Sequence, residues 1–236
     1  MGQVHARAYS RLRQHYPHVP LSPNLIAVAD TATDDRLAIA VDTYGFRDAH
    51  TDWHVLIARD DIDAVSVTGP NFIHRDVAVA AAKAGKHVWV EKPARRNAAE
   101  TRSICEAVRA AGVQSAAGFN CRSSWWSRGL SWDFRRMCEL RICLDKDYQN
   151  AFYVTRFVAP GDGEFARFQP GSGIAMGYDD LKVVEAHHFV QSIATGNAHG
   201  ATMEDALRAA TIIEAMAESA RNDAGWPSRC EFVLTK

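Results

Sequence analysis

Residues 63–93 read DAVSVTGPNFIHRDVAVAAAKAGKHVWVEKP, and the division of that stretch decides the fold. The run 63–68 (DAVSVT) is short and largely apolar, which suits a buried strand. Thr68-Gly69-Pro70-Asn71 is a turn, and 73–84 follows as a helix ending at Gly85. A second strand, 86–90 (KHVWV), comes next and runs directly into Glu91-Lys92-Pro93. Strand, helix and strand at this spacing form a βαβ unit, so the two strands lie parallel.

The alternation extends on both sides. Upstream, 3–16 reads as a helix with Val4, Ala8 and Leu12 on one stripe, and Pro17 and Pro20 break it. The run 24–30 (NLIAVAD) is a buried strand ending in an acid, 34–44 a helix stopped at Gly45, and 52–60 a further short helix. Downstream, 98–111 is a helix closed by Gly112, and 113–119 is the last strand of the series. The expected class is α/β, a parallel sheet covered on both faces.

Past Asn120 the character changes. Residues 121–146 hold three of the five Cys, three of the six Trp and five Arg, with little periodicity. One strand is expected at 151–158, a glycine-rich loop region at 159–178, and helices at 179–195 and 203–220. In the last helix Ala206, Ala209, Ala210, Ile213 and Ala217 predict a close-packing stripe.

The 236 residues are 47% apolar and 23% charged, ordinary for a soluble globular chain. A net charge of −1 offers no electrostatic case for nucleic acid or an acidic membrane surface. There is no apolar run of the ~18 residues that a membrane span needs, and no signal-peptide pattern. The odd number of Cys, without C-x-x-C spacing, suits reduced thiols in a cytoplasm.

In open parallel sheets, ligands bind beyond the carboxyl ends of the strands. Four features fall there: Gly2 before the first helix, Asp30, the Thr68–Asn71 turn, and Glu91-Lys92-Pro93. A helix start favours phosphate, and an acid after a strand can accept from a ribose. Each has a plainer reading. Gly2 can serve packing, Asp30 and Asn71 can be caps or turn residues, His74 can sit on a solvated helix face, and Lys92 can snorkel. His187-His188 invites a metal reading. Neighbours on a helix point about 100° apart, however, so core-plus-surface packing is preferred and no metal is expected.

Taken in order, "MGQVHARAYS", "LIAVAD", "VTGPNFIH", "AAKAGKHVWVEKP" and "AAGFNCR" resemble the Gfo/Idh/MocA family, the glucose–fructose oxidoreductase and inositol dehydrogenase group. The resemblance covers 1–120 and resumes around 174–222 with "GYDDLKVVEAHHFVQSIATG" and "DALRAATIIEAMAESA". It implies a Rossmann-type dinucleotide domain at 1–120 and a reduced second α/β domain at 121–236. It also implies NAD, with NADP possible, and hydride transfer to or from a sugar, an inositol-like polyol or a related carbonyl compound. The cofactor residues it implies are Gly2, Asp30, Thr68, Pro70, Asn71, His74, Glu91 and Pro93, the last often cis in the family. Lys92 is the implied catalytic residue, and Asn120 and Arg122 the substrate residues. Members commonly assemble through the second domain's sheet, so a homo-oligomer is expected.

Two family features are missing. The opening strand and its G-x-G should precede Gly2, in the middle of the sheet between the strands at 24–30 and 63–68. Its absence leaves an edge on each neighbour, a loss on the order of 10 kcal/mol. A misassigned start at Met1 is the favoured explanation. The family's D-x-x-x-H does not occur in 121–236, and 121–146 reads as foreign or frame-shifted coding. The alternative to an enzyme is therefore an inactive truncated relative, acting as a scaffold or partner, or a pseudogene product.

Overall fold

The structure is a computed structural model, and it describes residues 1–31, 35–93, 97–118, 129–132, 136, 139–143, 152–157, 159, 161–169, 171 and 174–221. The chain opens with α1 (Gly2–His15), followed by β1 (Ala27–Ala29), α2 (Arg36–Tyr44), β2 (Asp48–His50) and α3 (Trp53–Ile57). Then come β3 (Ala64–Val67), α4 (Asn71–Lys83), β4 (His87–Val90), α5 (Ala98–Ala111) and β5 (Ser115–Ala117). Strands β6 (Gly129–Trp132), β7 (Glu139–Cys143) and β8 (Val154–Phe157) precede a 3-10 helix at Gly163–Arg167, α6 (Tyr178–Thr195) and α7 (Met203–Arg221).

The parallel strands among the described residues form two sheets. One is β1-β2, with Val28 opposite Ala49; the other is β3-β4-β5, with Val65 opposite Val88 and Trp89 opposite Ala116. Among the described residues no strand joins β1 to β3, and this gap falls where the resemblance puts the missing strand.

Strand β4 is the centre of the larger sheet, and Val88, Trp89 and Val90 are all fully buried. The pleat sends alternate side chains to opposite faces. Trp89 joins Ala8, Leu12, Ala116, Val183 and Phe189 under α1 and α6, while Val90 joins Val77, Ile104, Ala117, Met203 and Ala206 under α4, α5 and α7. The two C-terminal helices, distant in sequence, thus complete the layers over both faces. No helix of the described residues is long and apolar enough to cross a membrane.

Several expectations need correction. Strand β2 was not expected: DAH carries neither an apolar run nor alternation, and pairing with β1 creates it. Strands β6 and β7 lie inside the stretch that looked aperiodic, in an antiparallel sheet β6-β7-β8. The stripe on α7 ends early, because Met203, Ala206 and Ala210 are buried whereas Ile213 and Met216 are exposed. By contrast, α5 spans 98–111 as read. Asn97 caps its start by accepting from the Glu100 N–H, and Gly112 closes it at φ 67°.

Candidate active site

The first turn of α1 has no side-chain cap and no acid. Its hydrogen bonding begins with the Val4 N–H donating to Met1 O at 2.9 Å, which leaves the Gly2 and Gln3 amides ahead of the ladder. A Cβ on Gly2 would lie 3.4 Å from Thr68 Oγ1, so the helix start rests on the carboxyl end of β3. Residues 69–72 beyond it are exposed, and Asn71 is the first residue of α4, capped by Pro70 in extended conformation.

His74 is 1% exposed, not on a solvated face. Its Nε2 lies 2.7 Å from Gly69 O and its Nδ1 3.0 Å from Pro93 O. A neutral imidazole donates to one such carbonyl; only the doubly protonated ring donates to both. His74 lies between the turn after β3 and the loop after β4, within hydrogen-bond distance of one carbonyl from each. That loop carries Lys92, exposed, and a cis Lys92-Pro93 peptide.

Glu91, expected at the cofactor, instead turns its carboxylate into the core. It is 2% exposed, accepts from the Lys92 backbone N–H at 3.1 Å, and lies 2.9 Å from His5 Nε2. The fully buried Lys182 ammonium pairs with it and with Glu185, the latter at 2.8 Å. Burial alone would raise the Glu91 carboxyl, but the hydrogen bonds from His5 and Lys182 outweigh it and hold it at about 2. Glu185 moves the other way: burial, with the nearby Glu91 charge, pushes it up to about 7 against the pull of Lys182. His5 is lowered, chiefly by burial. Lys182 went unnoticed in sequence, although it shares the 182-186-189 stripe with Ala186 and Phe189, where a lysine is out of place.

Asp30 follows β1. Its N–H donates to His50 O at 3.1 Å, and its carboxylate lies 3.5 Å from the Arg36 guanidinium. Asn120 and Arg122 lie outside the described residues. The adjacent histidines overturn the geometric objection made above, since both approach one carboxylate. His188 Nε2 is 3.0 Å from Glu164 Oε1, and His187 Nδ1 is 3.7 Å from Glu164 Oε2.

Residues 1–119, just over half of the chain, match the oxidoreductase family described as having an NAD-binding Rossmann fold, GFO_IDH_MocA. The chain belongs to the Gfo/Idh/MocA oxidoreductase family. Similar sequences include levoglucosan dehydrogenase of Pseudarthrobacter phenanthrenivorans, 33% identical over 122 residues, which is 52% of this chain and 31% of that one. Myo-inositol 2-dehydrogenase of Thermotoga maritima is 37% identical over 98 residues, 42% of this chain and 29% of that one. The matched stretch thus spans about a third of these relatives' length. A solved levoglucosan dehydrogenase in complex with NADH and L-sorbose superposes with a TM-score of 0.81 at 18% identity, covering 95% of each chain. An NAD binding oxidoreductase from Klebsiella pneumoniae gives 0.76 at 20%, covering 94% and 95%.

The family's dinucleotide suits the residues present. An uncapped, acid-free helix start can receive phosphate.

Proposed function

We propose that this chain binds NAD across the ends of β1, β3 and β4 and serves hydride transfer to or from a sugar, an inositol-like polyol or a related carbonyl compound. The observation that carries the reading is the position of buried His74 between the two motif loops, which presents Lys92 at the open end of the sheet. When bound, NAD supplies the nicotinamide that gains or loses the hydride. The Gly2 and Gln3 amides hold phosphate, and Asp30 accepts from ribose hydroxyls, which favours NAD over NADP. Thr68, Pro70, Asn71 and Pro93 line the nicotinamide side. Lys92 polarises the substrate hydroxyl or helps to remove its proton. The family resemblance assigns Asn120 and Arg122 to substrate recognition.

A second reading, cofactor binding without turnover, is favoured by the lack of a D-x-x-x-H in 121–236. Titration with NADH followed by fluorescence, then a polyol panel on the wild type and Lys92→Ala, separates the two. Saturable binding with turnover abolished in a folded Lys92→Ala variant supports the enzyme. Binding without turnover on any substrate supports the second reading, and no binding sinks both. The exposed strand β8, with Val154 and Phe157 open to solvent and Phe152 exposed just before it, supports assembly of identical chains through that sheet. Light scattering tests it; a strict monomer would refute it.

A further inference from the structure

At the far end of α1, about 20 Å along the helix from Gly2, Glu164 of the 3-10 helix meets His187 and His188 of α6. One ring nitrogen of each histidine and a carboxylate oxygen lie within 4.8 Å of one another. The neighbours converge because they use different atoms: His187 offers its near nitrogen, Nδ1, and His188 its far one, Nε2. Both rings are held. His187 stacks on Tyr16 at 3.6 Å, and a Cβ on Gly200 would come within 3.1 Å of the His188 ring. The Tyr16 hydroxyl donates to Glu164 Oε2 at 2.5 Å, and Arg167 lies over the Tyr16 ring at 5.0 Å.

An ion pair between Glu164 and His188 accounts for only part of this arrangement. His187 Nδ1 is buried and has no hydrogen-bond partner among the described residues. A buried polar atom left unpaired calls for an explanation. We propose that Glu164, His187 and His188 form a site for a borderline first-row divalent cation such as zinc, with the fourth position open to water. Zinc bonds of about 2.0–2.2 Å put tetrahedral donors about 3.3 Å apart. His188 Nε2 stands 3.0 Å from Glu164 Oε1, and the three donor atoms, one from each residue, lie within 4.8 Å of one another, so the longer separations close on binding. Two imidazoles and one carboxylate disfavour calcium and magnesium, which prefer all-oxygen shells. Tyr16 stays hydrogen-bonded to the carboxylate and orients it. The bound ion clips the 3-10 helix and the end of α1 to α6, a structural role remote from the cofactor crevice and independent of the proposed reaction.

The test uses metal-free protein and zinc chloride, read by calorimetry, melting temperature and imidazole nitrogen resonances. The expected result is an equivalent of zinc that shifts the His187 and His188 resonances and raises the melting temperature. Glu164→Gln and His188→Gln should each weaken that binding at least about tenfold, and His54→Gln, at the exposed Asp52–His54 pair, should leave it unchanged. If zinc leaves both wild-type resonances in place, or binds the Gln variants as tightly, the site does not exist. The resonance measurement needs no variant, so it decides even if a substitution unfolds the chain.

Discussion

The Lys182 ammonium and the Glu91 carboxylate, ninety-one residues apart in sequence, are paired inside the core, with side chains 0% and 3% exposed. The pair fastens α6 to the end of β4, immediately beneath the exposed Lys92. Breaking a buried pair strands a charge, whereas removing both charges does not. In urea unfolding at a pH well below 7, where Glu185 holds a proton, Glu91→Gln should therefore lose about 3–5 kcal/mol of stability, and the double variant with Lys182→Met should recover most of it. Equal losses in the single and double variants would refute the pairing.

The two acids beside Lys182 carry opposite pH dependence. Glu91 sits at about 2 when folded and near 4.5 otherwise, so its contribution is complete above 4.5 and is lost as pH falls toward 2. Glu185 sits at about 7, so the folded chain holds a proton that the unfolded chain releases, and stability declines as pH rises from about 4.5 to 7. In melting temperature against pH, Glu185→Gln should flatten that decline and leave the acid limb intact. A wild-type difference curve without slope between 4.5 and 7 would contradict this.

Gly118 is required by contact. A Cβ there would lie 2.8 Å from Glu91 Oε1 and 2.9 Å from its carboxyl carbon, and the carboxylate is held by His5 and Lys182. Gly118→Ala should cost about 1–3 kcal/mol, as overpacking of a close-packed interior does. Gly161→Ala meets open space and should be nearly neutral. Denaturant midpoints for the two variants compare them directly.

The break between β1 and β3 predicts uneven backbone protection. Strand β4 is paired on both sides, while β1 and β3 each have one described partner. Amides of β1 and β3 that face the gap should exchange with deuterium well before those of Val88 and Val90. Uniform protection across the three strands would show the gap to be filled.

Much of the architecture was legible because it is local. Gly45, Gly85 and Gly112, all at positive φ, end helices where they were expected to, and the apolar runs mark β3 and β4. The motif turns after those strands were readable from residue type and spacing. The network around them was not. His74 was as compatible with a solvated face as with a buried position, and Glu91 with the cofactor as with the core. Strand β2 lacked any pattern, because its pairing with β1 is what makes it a strand.

By itself the sequence determined the family, the alternation of strands and helices, the loop that carries Lys92 and the turn that leads into Asn71, since turn chemistry and apolar periodicity act over a few residues. Only the tertiary structure decided the pairing of β2 with β1, the closure of both faces by α6 and α7, and the partners of Glu91 and Glu164. Those features join residues far apart along the chain, and burial in a shared core selects which of them meet.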